Sequence, residues 1–449
     1  MKFSVKIILF ILISLLFIVG SAMATDQLTL KKALKLVLDK NSMIKESELD
    51  YDKANIDLKM ARKGYYPTLS LSSSYTRLGE VSTIPTIVED LSSPFGFSFK
   101  EIESPQDNYS TQLSLQQPVY TGGKIKLGIE QAGLGKEMAD IQLKQQKSEV
   151  LMNVIRTYYN ILLAKDRVDI EKEALELIKK QKKILKASIE VGMALKTDLL
   201  QVEIEESKAA QRLEDAKNKL LLAKKNFANM LGIEWETVNL ISPDEVPDIN
   251  MGLDELYKAA LKNRPELKMM KVNKKILDNS LKMEQSNKLP NIMLLANYSW
   301  QGEELSLEDG SGSITLSGSI SLYDAGKSED GQEKTAKDIE KLLESKDNLE
   351  KLIKIELEEK ILSIEDNLKN IKIQEMNIDK ARKNLELESK RFIAGVGTNI
   401  DVLNAQTLLK QTRISKVQAI YQYQINTYEL LKKSGRLLDY SKEVIDNEK

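Results

Sequence analysis

There is no cysteine and no histidine anywhere in this 449-residue chain. The first absence excludes disulfide bracing and thiol nucleophiles, and the second removes the commonest general base and the commonest metal ligand. Aromatic residues make up only 6% and there are only 9 prolines, a profile of long solvated helices rather than one large packed core. Beyond the N-terminus no apolar run reaches the ~20 residues of a membrane-spanning helix, so any passage through a membrane falls to strands. Neither charge sign dominates, with 66 Lys+Arg against 67 Asp+Glu, which argues against a nucleic-acid partner. Thr121-Gly122-Gly123-Lys124 lacks the P-loop spacing, and the acid pairs Glu205-Glu206 and Glu358-Glu359 sit among many other charges. The expectation is no enzyme, no metal and no cofactor.

What is present begins with an address. Lys2 and Lys6 precede an apolar run from Ile7 to Val19 and the small-x-small triplet Ala22-Met23-Ala24, the pattern of a cleaved secretory signal over residues 1–24. Without cysteine no lipid is expected at the mature N-terminus. From Gln332 to Ala394 there is neither Gly nor Pro, and apolar residues recur every seven at Leu357, Ile364, Ile371, Ile378, Leu385 and Phe392. That period predicts a coiled-coil helix roughly 100 Å long. Gly395 and Gly397 end it, and Asp401, with Asn404 three residues on, is placed to cap a helix running back.

The chain is written twice. Tyr120-Thr121-Gly122-Gly123-Lys124 falls on Tyr323-Asp324-Ala325-Gly326-Lys327 at an offset of 203 residues, which also carries Gly192 onto Gly395, Asp198 onto Asp401 and Gly232 onto Gly435. The heptads follow, with Val154, Ile161, Val168, Leu175 and Ile189 in register and Lys182 the one break. Upstream the offset is 223, carrying Leu30 onto Leu253 and Pro67 onto Pro290. The first half therefore holds twenty more residues, expected as a long loop from Gly79 to Asp107 with Pro85, Pro94 and Pro105 in it.

Each half reads as a helix, two strands and a long helical hairpin. The first repeat spans 25–240, with an opening helix from Thr29 to Lys63, a β-hairpin at 68–118 and a helical hairpin at 124–231. A linker at 241–252 leads to the second repeat, 253–437, with a β-hairpin at 291–322 and a helical hairpin at 327–434; a tail occupies 438–449. Pro265 marks an early turn or a break in the second opening helix. The strands alternate strictly: Leu69, Leu71 and Tyr75 against Ser70, Ser72 and Ser74; Tyr109, Leu113 and Leu115 against Ser110, Gln112 and Ser114. In the second half Ile292, Leu294, Tyr298 and Trp300 share one face, as do Ile314, Leu316, Ile320 and Leu322. This length and pattern suit lipid-facing, water-lined barrel strands, although an ordinary half-buried sheet shows the same alternation. Four strands cannot close a membrane barrel, so a membrane reading requires several copies of the chain.

The duplicated plan, the Tyr-x-Gly-Gly-Lys and Tyr-Asp-Ala-Gly-Lys junctions and the turn Ala394-Gly395-Val396-Gly397-Thr398, continuing through Asp401-Val402-Leu403 to Ala405-Gln406, resemble the outer-membrane efflux protein family, the TolC-like channel-tunnels. The resemblance covers about Leu28 to Leu437. It implies an α+β membrane protein: a homotrimer whose chains each give four strands to one transmembrane β-barrel and their helices to a coiled-coil tunnel across the periplasm. It implies an exit duct of a tripartite efflux or type I secretion system in the cell outer membrane, in contact with its lipid. The implied partners are an inner-membrane transporter and a periplasmic adaptor docking at the helical tips, here Val191, Gly192, Met193, Ala394, Gly395 and Val396. Lumen-facing tip positions map to Thr197, Asp198, Asp401 and Asn404, the last replacing an acid of the family pattern. The Tyr and Arg that latch the tip in some relatives are Phe392 and Gly397 here, leaving Arg391 or Lys196 as candidates for another latch. A second reading stays open, a secreted periplasmic helical scaffold or tether with no pore.

Overall fold

The computed structural model describes residues 28–79, 83–103, 106–242, 247, 251–304 and 310–446. The expected signal sequence and part of the expected linker lie outside the described residues. The helices are α1 (Leu30–Lys40), α2 (Ser42–Arg62), α3 (Lys124–Glu190), α4 (Lys196–Leu231), α5 (Leu253–Asn263), α6 (Pro265–Ser286), α7 (Lys327–Ile393), α8 (Asn399–Lys433) and α9 (Leu437–Asp446). The strands are β1 (Thr68–Arg77), β2 (Thr83–Glu89), β3 (Phe97–Glu103), β4 (Asp107–Thr121), β5 (Asn291–Gly302) and β6 (Ser311–Ser319). No described helix is long and apolar enough to cross a membrane. The chain divides into a sheet-bearing unit, residues 50–139 and 270–345, and a helical unit built from the rest.

In the sheet-bearing unit four antiparallel strands run in the order β1-β4-β5-β6. The alternation seen in the sequence becomes two faces. One carries Leu69 opposite Leu115 and Leu71 opposite Leu113, continued by Ala296 opposite Ile314 and Leu294 opposite Leu316. The other carries Ser70 opposite Ser114, Ser114 opposite Asn297, and Asn297 opposite Ser313, and none of its paired positions is charged. Rings gather at one end of the apolar face, Tyr75 against Tyr109 with centroids 4.9 Å apart and Tyr298 against Trp300 at 4.5 Å. Gly312, opposite Tyr298, and Gly310 leave room for these rings. Both β1 and β6 are edge strands, exposed along their whole length.

Three expectations are corrected. The segment 79–107 is not a loop throughout: β2 and β3 pair antiparallel as a separate ribbon, Ile87 opposite Phe99 and Glu89 opposite Phe97, because an edge strand tolerates Pro85. β6 ends at Ser319, opposite Asn291, so Ile320 and Leu322 lie beyond the ladder. The first opening helix is broken at Asn41, whose extended backbone lets its carboxamide accept from Met43 N and donate to Met230 O at 3.3 Å.

The second half repeats that last contact in different chemistry. There the break falls at Arg264, before Pro265, and the guanidinium donates to Lys433 O at 2.7 Å. Arg264 and Lys433 are the counterparts of Asn41 and Met230 at offsets of 223 and 203. Arg264 also pairs with Glu356, which holds Lys433 at 3.0 Å. Burial alone would raise the Glu356 carboxyl, but hydrogen bonds from Arg264 and Lys433 outweigh it and the net shift is downward.

The core of the helical unit joins Leu34 and Val37 of α1, Ile155, Tyr158 and Tyr159 of α3, Phe227 and Leu231 of α4, and Tyr428 and Leu431 of α8. The Tyr158 hydroxyl faces Leu28 O at 3.0 Å and Ile241 O at 2.6 Å, beside the parallel bridge of Leu28 to Leu240. Along and beyond this core α3 and α8 are joined by polar pairs, descending one helix while ascending the other. Arg156 meets Glu429 at 2.6 Å, Tyr421 donates to Asp166 at 2.8 Å, and Arg413 pairs with Glu173. On α7 the heptad residues from Leu357 to Phe392 are buried or half-buried while Ile355, Leu362 and Met376 are exposed.

The strand-to-helix junctions yield a test of the repeat. Gly122 has φ +62° and a Cβ there would lie 2.9 Å from Leu289 Cβ. Its counterpart Ala325 sits at φ +57°, the sole non-glycine residue with positive φ among the described residues. Ala325→Gly is expected to raise stability by about 1 kcal/mol, and Gly122→Ala to lower it by more than that. Thermal unfolding of the two variants in detergent checks both signs.

Candidate functional site at the paired helix turns

Two turns close the long hairpins, and the same backbone chemistry makes each. At the first, Gly192 adopts φ +77° and Met193 N donates to Ser188 O at 2.7 Å. At the second, Gly395 adopts φ +73° and Val396 N donates to Arg391 O at 3.0 Å. These are helix stops in which a left-handed residue turns the last free carbonyls back onto the chain. A Cβ on Gly395 would lie 3.6 Å from Met193 Cε, so the two turns are neighbours. Val191, Met193, Ala394 and Val396 are all exposed. An apolar cluster of Leu185, Val202, Leu213 and Leu403, with Ile189 and Phe392 packed against it, underlies the turns.

The acidic residues cap helices from inside the first turn, each as the third residue of its helix. Thr398 is the N-cap of α8: its hydroxyl accepts from Asp401 N and donates to Asp401 Oδ2 at 2.6 Å, and its own N donates to the same oxygen at 3.2 Å. The helix starts two residues before Asp401 because Thr398 supplies the capping oxygen. The bonds from Thr398, with Arg391 nearby, hold the Asp401 carboxyl below the usual carboxylate range. This cap is therefore complete at neutral pH and is lost only as pH falls through that lowered value. At α4 the N-cap is Leu195, which has no side-chain oxygen, so only half the arrangement exists: Leu195 N donates to Asp198 Oδ2 at 3.4 Å. Asn404 caps nothing. It is exposed in the second turn of α8 and lines a cavity of ≈ 280 Å³ with Gln201, Glu205, Arg212 and Lys410. Thr197 is exposed on the first turn of α4, and Arg391 pairs with Glu388 of its own helix.

Several residues that organise this site are absent from the sequence expectations. Buried Gln181 donates to buried Asn399 at 3.0 Å, tying α3 to the first residue of α8. Lys182, the break in the heptad, reaches Glu206 at 2.9 Å and Glu203 at 3.1 Å on α4, and those carboxylates raise its pKa. Glu171, buried to 4% exposure, meets Lys410 at 3.4 Å and Arg212 at 3.7 Å. The heptad break at Lys182 was a visible signal for the second of these; the others carry none.

Comparison with known proteins settles the family. The family model described as outer membrane efflux protein matches residues 33–233 and 256–436, once for each half. The chain belongs to this family. Among curated relatives of this outer membrane efflux protein, the alkaline protease secretion protein AprF of Pseudomonas aeruginosa is 23% identical over 370 residues, covering 78% of this chain and 76% of the relative. The outer membrane efflux protein BepC of Brucella suis is 20% identical over 342 residues, covering 75% of each. Among solved structures, the outer membrane protein VceC of Vibrio cholerae superposes with a TM-score of 0.71 at 15% identity, covering 90% of this chain and 96% of that one. CusC gives 0.73, also at 15% identity, with 90% and 92% covered. The long helices and few strands described above are thus the efflux-channel fold, and the chain is an outer-membrane exit duct.

Thr398→Ala is expected to speed amide hydrogen exchange in the first turn of α8 about fivefold, leaving α4 unchanged. Exchange mass spectrometry resolving residues 399–403 from 196–200 checks it.

Proposed function

We propose that three copies of this chain form one twelve-stranded barrel in the outer membrane, and that their helices form a periplasmic tunnel through which an inner-membrane transporter delivers its substrate. The observation that carries this reading is the four-stranded sheet with one apolar face, one uncharged polar face and two unpaired edges. Lipid suits the first face and a water-filled lumen the second, and the edges are satisfied when β1 of one copy pairs with β6 of the next. Efflux versus type I secretion is a matter of the transporter; the likeness to AprF, named for alkaline protease secretion, supports the latter and that to BepC the former.

In this reading the two repeats are the segments 25–240 and 253–437, each contributing one β-hairpin and one helical hairpin. The exported chain loses residues 1–24 and carries no lipid, since it has no cysteine. It does no chemistry of its own. The exposed turn residues Val191 to Met193 and Ala394 to Val396 receive the periplasmic adaptor. Asp198 and Asp401 face the lumen, and three copies of Asp401, ionised at neutral pH, form a ring that favours cations. Thr197 and Asn404 flank this constriction.

Single-channel recording in a planar bilayer tests the reading. The wild type is expected to give steady conducting steps with cation preference, and Asp401→Asn to reduce the cation-to-anion permeability ratio roughly twofold to fivefold. A silent protein that is protected from protease in liposomes would mean a closed tip, a silent and unprotected one would return the case to the helical scaffold, and an unchanged ratio would remove Asp401 from the constriction.

A further inference from the structure

Directly beyond the strands of the sheet-bearing unit, α3 and α6 run side by side and enclose a cavity of ≈ 380 Å³ lined by Glu130, Gly133, Lys275, Asp278, Asn279 and Lys282. Asn279 is only 4% exposed. Its Nδ2 donates to Leu127 O at 2.8 Å and to Gln131 Oε1 at 3.0 Å, while its Oδ1 is buried with no partner. A buried acceptor left empty costs about 1–3 kcal/mol, so it marks a place where a donor is expected. Of the charged groups around it, Lys275 is taken by Glu137 and Asp278 by Lys274. Lys282 and Glu130 have no ion-pair partner among the described residues. The wall at Gly133 is bare backbone, where a Cβ would meet nothing within 4 Å.

The position of these groups relative to the strands selects the ligand. Lys282 lies four residues before the end of α6 at Ser286, about 6 Å from the strand junction at ~1.5 Å per residue. Asn279 and Glu130 lie about 9–11 Å from it and Asp278 about 12 Å, by the same rise. The headgroup layer on each side of a bilayer is roughly 5–8 Å thick. The junction is lined by exposed Tyr65, Tyr66, Tyr120 and Tyr323, rings of the kind that sit at membrane interfaces. Lys282 falls within that layer and the acceptors just beyond it, an order that suits a headgroup reaching out of the membrane with its phosphate at Lys282 and its ammonium beneath.

We propose that this cavity binds a phospholipid whose headgroup carries a phosphodiester and a primary ammonium. Lys282 holds the phosphate, and Asn279 Oδ1 accepts from the ammonium N–H with Glu130 supplying opposite charge. The bound lipid fixes α3 against α6 where they leave the strands. The inference rests on the barrel reading above, which brings the junction to the membrane surface. It also predicts a preference: a choline headgroup has no N–H to give Asn279.

Native mass spectrometry of the full-length protein in detergent, titrated with phosphatidylethanolamine, phosphatidylcholine or inorganic phosphate, tests it. The expected result is up to one phosphatidylethanolamine per chain, with phosphatidylcholine and the Lys282→Glu variant each weaker by roughly tenfold and Lys282→Arg restoring binding. Equal retention of the two lipids, indifference to Lys282→Glu, or displacement of the lipid by inorganic phosphate at like concentration would overturn the lipid site. Trimer mass and bilayer conductance of the same preparation separate the two failures. A conducting trimer without the lipid preference refutes this site alone, whereas a protein that neither trimerises nor conducts refutes the barrel reading beneath it.

Discussion

Unpaired backbone at the edges of one small sheet is the constraint on which the rest depends. β1 and β6 each leave a row of N–H and C=O groups without a partner inside the chain, and in hydrocarbon each such group costs several kcal/mol. The apolar face of that sheet, with Leu69, Leu71, Ile314 and Leu316 exposed by 66–80%, needs lipid or protein to cover it. One chain can meet neither demand. Proposed closure with two further copies meets both, and it gives a purpose to the exposed apolar residues Ile355, Leu362 and Met376 on α7. Their stripe is open in the single chain and is available to helices of its neighbours.

The duplicated chain shows how one geometry is kept while its chemistry drifts. At the strand-to-helix junction Thr121 Oγ1 accepts from Ile125 N in the first half, and Asp324 Oδ2 accepts from Ser328 N in the second. At the helix break a carboxamide does in one half what a guanidinium does in the other. At the turns the bonds of Gly192 and Met193 recur at Gly395 and Val396, yet only the second turn has a hydroxyl at its N-cap. The two turns therefore differ in how firmly each return helix is started, and the second, with Thr398 and Asp401 locked together, is the firmer.

Much of this was legible before the structure. The seven-residue series from Leu357 to Phe392, the offset of 203 and the strand alternation are periodic signals, and periodicity states which face a residue occupies. What was not legible depends on contacts between residues far apart in the chain. The break at Asn41 follows no Pro or Gly; it is held by a carbonyl 189 residues away. Gln181 and Asn399 are 218 residues apart and carry no pattern that pairs them. The β2–β3 ribbon was masked by Pro85 and Pro94, residues that ordinarily mark loops and here sit in an edge strand and a turn. Capping by Asp401 was foreseen, but its place in the first turn rested on whether Thr398 would offer its hydroxyl, a choice made by local backbone geometry.

The absence of cysteine provides the most direct test of the shared barrel, because any disulfide introduced is the only one possible. Single cysteines at Ser70, Ser72 or Ser74 of β1 would be combined with one at Ser313, Thr315 or Ser317 of β6, and the membrane-embedded protein oxidised. The account predicts that at least one pairing yields a covalent trimer on a denaturing gel, since three equal β1-to-β6 seams close a ring. Monomer alone at every pairing, in protein shown to be inserted in the membrane, would contradict it.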